Sequence, residues 1–378
     1  MDTVSPHVPR LGRHLGSGRG VALRTNQDTS RAAGPLGSCV ENATDREALL
    51  TVSDLHVHFV QHRQRVYAVN GISYELAAGR SLAIIGESGS GKTVSCRAVM
   101  GLLPPTARTT GSVRLDGVEL VGLSEKQLCR YRGTGVSMVF QDPSRSLNPT
   151  MRIGPQVAEA VRAHLPLDRR EARNRAVHLL ERVRIPAAAR RCLDYPHQLS
   201  GGMRQRVMIA IALACDPKLL IADEATTSLD VTTQAQIMEL LLELQEQSDM
   251  ALILVSHDLG LAASYADEVI VMYGGRAVEQ ASTRELFAHV QMPYTQALLQ
   301  AIPRFDRPTH TILPVVEGRP PDLTHLPTGC AFAPRCERAD DRCRASAPEL
   351  AAPDGGRHRF ACWHPCDEPA PDGRHESS

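Results

Sequence analysis

The stretch GESGSGKT, Gly86–Thr93, follows directly on the apolar run SLAII, Ser81–Ile85. It satisfies G-x-x-x-x-G-K-[ST] at every position. A continuous apolar run reads as a strand covered on both faces. The segment after Lys92, TVSCRAVMGLL, reads as a helix. A flexible loop between a buried strand and a helix has a specific use. Glycines let the backbone curl until several N–H groups point at one anion, and the helix start adds the positive end of its dipole. Lys92 brings a full charge to the outer phosphates, and Thr93 offers a hydroxyl to Mg²⁺. The strand–loop–helix context sets this apart from a chance match, so Gly86, Glu87, Ser88, Gly89, Ser90, Gly91, Lys92 and Thr93 form the candidate phosphate cradle.

A phosphate cradle does not choose a reaction. The stretch KLLIADEA, Lys218–Ala225, supplies more. Its apolar residues end in two acids, which places Asp223 and Glu224 at the C-terminal edge of a buried strand, where α/β ligands bind. Neighbouring acids on a strand point opposite ways. Asp223 is therefore expected to hold Mg²⁺, with Glu224 on the other side as general base for the attacking water.

The chain has 378 residues, zero formal net charge and 4% aromatic residues. Its length allows two or three domains. A neutral, aromatic-poor chain does not fit a nucleic-acid holder, so no nucleic-acid partner is expected. No apolar run reaches the roughly 18–20 residues that cross a bilayer; VMIAIALACDPKLLIA is broken by Asp216, Pro217 and Lys218. No signal-peptide pattern follows Met1. The expected place is the cytoplasm, with any membrane role exercised through a partner.

Alternation in VSDLHVHF and GISYEL predicts half-buried antiparallel strands. From GGMRQRVMIAIALA to EVIVMY, helix and strand alternate, which predicts a mostly parallel sheet. Between about 150 and 195 the chain is charged, helical and free of strand signals, as in an insertion. Residues 1–46 and 367–378 lack periodicity and are expected to be disordered.

With LSGGMRQR, Leu199–Arg206, the chain resembles ABC-type ATPases, the nucleotide-binding subunits of ABC transporters. The resemblance implies that Ser200, Gly201 and Gly202 form a second anion site at a helix start. That site serves the nucleotide of a partner subunit, so two chains close around two ATP molecules. Met203 stands where the family usually has Gln, which removes an amide but leaves the backbone donors. Gln141 in VFQDP matches the glutamine that reaches toward Mg²⁺. Ser228, Leu229 and Asp230 match the segment called the D-loop, and His257 in VSHD matches the γ-phosphate histidine. An aromatic ring before the second strand would stack on adenine, with Phe59 the first choice and Tyr67 the second.

The runs RYRGTGVSMVFQDPSRSLNPTMRIGPQVAEA and GCAFAPRCERADDRC look like oligopeptide/dipeptide importer ATPases, a subgroup that includes nickel and other solute importers. The implied layout is an α/β P-loop ABC ATPase domain over 47–304 with a mixed sheet core and a helical subdomain at about 145–215. A small Cys-rich C-terminal extension over 305–366 follows. The implied partners are a second ATPase subunit (identical or related), two transmembrane permeases and, indirectly, an extracytoplasmic solute-binding protein, with this chain peripheral on the cytoplasmic face of the cell membrane. A soluble, non-transport ABC ATPase is the alternative. Cys330, Cys336, Cys343 and Cys362 are spaced by six, seven and nineteen residues. Zinc sites usually carry a pair two to four residues apart, whereas broad all-thiolate spacing suits a [4Fe–4S] cluster, which the subgroup implies. Zinc, or free thiols in a loose tail, are the alternatives, and Cys366 is a spare or alternative ligand.

Overall fold

The computed structural model describes residues 47–61, 64–226, 229–302, 316–353 and 355–366. The expected disorder of 1–46 and 367–378, and the D-loop residue Ser228, lie outside these residues. The described residues form one compact unit.

The strands run in chain order as β1 (Ala48–Gln61), β2 (Gln64–Ala77), β3 (Ser81–Ile85), β4 (Ala107–Leu115), β5 (Val118–Glu119), β6 (Val136–Val139), β7 (Leu219–Asp223), β8 (Ala251–Ser256), β9 (Glu268–Tyr273), β10 (Arg276–Ser282) and β11 (Arg359–Phe360). One sheet has the order β2-β1-β4-β5 and is antiparallel throughout. The other has the order β11-β10-β9-β3-β8-β7-β6. Its pairs from β9 to β6 are parallel, while β10 and β11 join antiparallel. The sheet is therefore mixed, as the resemblance implied.

The central strands are apolar on both faces because each face meets a different core. Leu82 and Ile84 of β3, Leu219 and Ile221 of β7, and Ile253 and Val255 of β8 pack toward the antiparallel sheet. Their alternate neighbours Ala83 and Ile85, Leu220 and Ala222, and Leu252 and Leu254 pack against helices. Alternation along each strand thus divides one apolar run between two layers. Each fully buried aliphatic side chain contributes roughly 1.5–3 kcal/mol, so these strands anchor whatever stands at their ends.

The insertion is helical as expected, with helices Ile153–His164 and Arg169–Arg182. Asp168 caps the second by accepting from the N–H groups of Arg170 and Glu171, and Glu171 returns a bond to the Asp168 N–H. Ala172, Ala176, Leu179 and Leu180 give it one buried face at three- and four-residue spacing.

The sequence reading assigns no element beyond β9. There the chain turns through Gly274 and Gly275 into β10, forms helices Thr283–Ala288 and Pro293–Gln300, and returns to pair β11 with β10. Glu279, fully buried in β10, holds this region together. Its carboxylate accepts from Gln291 N at 2.7 Å, Met292 N at 3.3 Å and bonds His358 Nε2 at 2.9 Å. A buried carboxylate persists only when so paired.

Candidate functional site

The phosphate loop takes its shape from three glycines in the left-handed half of backbone space: Gly86 at φ 154°, Gly89 at 83° and Gly91 at 102°. Two are also pressed. A Cβ on Gly86 would lie 2.2 Å from the Met272 carbonyl oxygen, and one on Gly91 would lie 2.3 Å from that of Ala68. Gly89 has open space around it. Helix Lys92–Val99 starts directly after the loop.

Lys92 is 4% exposed, and its Nζ donates to the carbonyls of Gly86 at 2.7 Å and Glu87 at 3.0 Å. Burial lowers its pKa, against the pull of Glu224 and Asp223. Thr93 Oγ1 donates to Asp223 Oδ1 at 2.8 Å. Asp223 is itself buried, and burial raises its carboxyl above the ordinary value, against the Thr93 hydrogen bond and Arg97. The Ser90 hydroxyl is buried without a hydrogen-bond partner. An orphaned donor inside a ring of loop amides fits a phosphate oxygen, and the Thr93–Asp223 pair offers hard oxygens of the kind Mg²⁺ takes.

Glu224 stands where expected but by a different route. Strand β7 ends at Asp223, and Glu224 takes a left-handed φ of 47° while its N–H donates to Val255 O at 3.0 Å. The two acids are therefore separated by a backbone kink, which corrects the expectation that they occupy opposite faces of one strand. Gln141 Nε2 donates to Glu224 Oε2 at 2.7 Å, and His257 Nδ1 lies 3.7 Å from Glu224 Oε1. Gln141 follows β6 and His257 follows β8, so three parallel strand ends deliver these groups together.

Ser200 caps helix Gly201–Ala212, its Oγ accepting from Met203 N at 3.3 Å. A Cβ on Gly202 would come within 2.8 Å of Thr233 Cγ2, so this helix start packs closely on helix Val231–Ser248. Asp230 caps that second helix, accepting from Thr233 N and Thr233 Oγ1, and these bonds hold its carboxyl below the ordinary value. Within this chain Asp230 is thus a helix cap. Phe59 lies in β1, partly buried against the core of the antiparallel sheet. Tyr67 is exposed in β2 with its ring against His58. The Ala68 carbonyl beside Tyr67 is the one that presses on Gly91.

Cys330, Cys336, Cys343 and Cys362 line one small cavity together with Phe332, Trp363 and His364. Burial pushes the Cys343 thiol up to about 11, with the Asp340 carboxylate and Cys330 adding to it, and that of Cys362 to about 12, with Cys336, Cys330 and Cys343 adding to it. Cys366 is directed elsewhere, its Sγ donating to Gln296 Oε1. Asp340, Cys343 and His364 bring ligand atoms within 4.8 Å of one another, a grouping that spacing had not indicated because His364 lies beyond the fourth cysteine.

Sequence reasoning also missed Arg335, which donates twice to the Glu87 carboxylate, at 2.7 and 2.9 Å. Only the position of Arg335 between two of the cysteines could have drawn notice.

Comparison with known proteins places this geometry. The family described as ABC transporter matches residues 69–227, and that described as oligopeptide/dipeptide transporter, C-terminal region, matches residues 278–343. The oligopeptide transport ATP-binding protein OppD of Escherichia coli is 47% identical over 337 residues, 88% of this chain and 99% of that one. The dipeptide transport ATP-binding protein DppD of Bacillus subtilis is 44% identical over 84% of this chain and 95% of its own. Among solved structures, the dimeric post-hydrolysis state of the ATP-binding cassette MJ0796 bound to ADP and Pi has a TM-score of 0.56 at 27% identity. It covers 62% of this chain and 99% of that one. CbiO1 of Clostridium perfringens, part of the transporter complex cbiONQ, gives a TM-score of 0.56 at 30% identity over 64% and 92%.

Proposed function

The chain belongs to the ABC transporter family, among the oligopeptide and dipeptide transport ATP-binding subunits, and from that premise we propose how its parts divide the work. It binds and hydrolyses ATP and energises an importer of oligopeptides or dipeptides, through pairing of nucleotide-binding domains on membrane permeases. No helix among the described residues is long and apolar enough to cross a membrane.

Lys92 and the remaining amides of the loop receive the phosphates, since Glu87 N–H is held by Tyr294 and Ser90 N–H by the Glu87 carbonyl, and the Ser90 hydroxyl gains the partner it lacks. Thr93, Asp223 and Gln141 would hold Mg²⁺, which when bound neutralises phosphate charge. Glu224 accepts the proton of the attacking water, and His257 binds the γ-phosphate. Gln141 must first leave Glu224, so nucleotide binding and exposure of the base are linked. Phe59 stacks on adenine, with Tyr67 the second candidate. Ser200, Gly201, Gly202 and Asp230 complete the site of the facing subunit. That subunit is a related second ATPase or a second copy, and the assembly sits on the cytoplasmic face against two permeases fed by an extracytoplasmic binding protein.

One observation carries this reading: Gln141, Glu224 and His257 meet at the strand ends next to the Thr93–Asp223 pair. The test is Mg²⁺-dependent phosphate release by the chain assembled with its facing ATPase subunit and permeases, with Lys92→Ala in this chain as control. An assembly that releases none, or a Lys92→Ala variant as active as the parent, ends it.

The four thiols lining one cavity support a [4Fe–4S] cluster held by Cys330, Cys336, Cys343 and Cys362. It would add a staple to a region of little apolar periodicity. The Asp340–Cys343–His364 grouping favours zinc as the second reading. Iron and zinc analysis of protein purified without oxygen decides between them.

A further inference from the structure

The second residue of the phosphate loop is an acid. Glu87 puts a carboxylate beside a site built to receive a triphosphate, where like charge opposes binding. The structure supplies the answer from 248 residues away. Arg335 meets Glu87 fork to fork, Nη1 to Oε2 at 2.7 Å and Nη2 to Oε1 at 2.9 Å. The other three of its five N–H donors are also engaged. Nε donates to Glu317 O at 2.7 Å, Nη2 to Val316 O at 2.8 Å and Nη1 to Tyr273 Oη at 3.1 Å. Its guanidinium lies over the rings of Tyr273 and Phe332, and its side chain is 4% exposed. A cation with every donor taken has one position. The loop backbone is held from the same side, because Glu87 N donates to Tyr294 Oη at 2.9 Å.

We propose that Arg335 is a positioning residue for nucleotide: it neutralises Glu87 and fixes the carboxylate away from the phosphates, so the C-terminal region sets the affinity of the phosphate loop. This is more than a fastening of the tail. A fastening would work equally well with any bonded pair, whereas here the charge of one partner opposes the ligand and the charge of the other cancels it. Tyr294 and Tyr273 belong to the same packed aromatic group with Phe332, so the segment 316–336 and the loop share one rigid wall.

The proposal rests on the ATPase reading, and the test separates the two. Dissociation constants for MgATP, with kcat and KM for hydrolysis, are measured on the full chain and on Arg335→Gln, Glu87→Gln and the double variant. Arg335→Gln, which keeps amide donors but drops the charge, should weaken MgATP binding and raise KM by on the order of ten-fold, with kcat changed less. Adding Glu87→Gln should restore most of that affinity, and Glu87→Gln alone should bind more tightly than the parent. Limited proteolysis of the C-terminal region reports the fastening separately. Parent-like affinity in Arg335→Gln, or failure of Glu87→Gln to rescue it, overturns the proposal while leaving the ATPase reading intact. Should Arg335→Gln not fold, the single Glu87→Gln variant decides: tighter binding supports the proposal, and equal or weaker binding overturns it. A parent chain that neither binds nor hydrolyses ATP would instead remove the reading beneath it.

Discussion

The side-chain amide of Gln141 donates to the carboxylate of Glu224 across 2.7 Å. Each stands just past the end of its own parallel strand, β6 and β7, and β8 delivers His257 to the other carboxylate oxygen at 3.7 Å. If Glu224 is the general base proposed above, the Gln141 amide on its Oε2 holds it in reserve. The backbone kink at Glu224, φ 47° in a non-glycine residue, aims its carboxylate at these neighbours and away from the strand.

Replacing the Glu224 carboxylate by its amide keeps shape and removes proton acceptance. Glu224→Gln should hydrolyse ATP at least about 100-fold more slowly while still binding it. ATP-loaded dimer should accumulate in light scattering. Hydrolysis at the parent rate would move the role of base to another residue.

The three loop glycines should not respond alike. Gly89→Ala adds only the left-handed penalty of about 1–2 kcal/mol, since nothing lies within 4 Å of the new Cβ. Gly91→Ala adds the same penalty and drives a methyl to 2.3 Å from the Ala68 carbonyl oxygen. Chemical denaturation should rank Gly91→Ala as clearly the less stable. Equal losses would mean that the backbone around Ala68 yields.

Burial raises the Asp223 carboxyl above its ordinary 3.8. A raised carboxyl favours the protonated form in the fold, so its contribution to stability is present below 3.8 and lost as pH climbs through the raised value. Where the carboxyl is ionised, its burial is a burden that Mg²⁺ bound there would relieve. The Mg²⁺-dependent gain in thermal stability of the ATP-bound protein should therefore shrink as pH falls toward 3.8, beginning above that value, and should vanish in Asp223→Asn. A gain independent of pH in both proteins would remove Asp223 from the metal site.

Ser200→Ala removes one helix cap, worth about 1 kcal/mol, and the hydroxyl proposed to reach the nucleotide of the facing subunit. Thermal stability should fall slightly and ATP turnover strongly. If, as proposed, two subunits complete one site, turnover per chain should also drop when the parent assembly is diluted below its dissociation constant. Undiminished turnover in dilute parent would mean that one chain suffices.

Cys343→Ser should release iron from protein purified without oxygen, and the segment after Val316 should become protease-sensitive. Loss of zinc with no iron in the parent would select the Asp340–Cys343–His364 site. Unchanged metal content and protease resistance would leave the thiols without a metal role.

The strand–loop–helix unit, the acid pair, the signature helix and the helical insertion were all legible, because each is written in adjacent residues: apolar runs, glycines, a cap, a charged periodic face. The Phe59 reading was harder, since strand register and ring exposure decide which aromatic is available and neither is local. The region after β9 was least legible. Its order comes from pairing β11 to β10 and from the buried Glu279, partners separated by about 80 residues.

The sequence by itself determined that this protein has a P-loop between a buried strand and a helix, an acid pair at a strand end and a signature helix, because glycine loops, strand-end acids and caps depend on short-range pattern. Tertiary structure alone decided that Gln141 closes on Glu224, that four distant cysteines share one cavity, and that Arg335 cancels the charge of Glu87. Hydrogen bonds and ion pairs act over about 3 Å of space whatever the distance along the chain, so only the packed fold could bring those partners within reach.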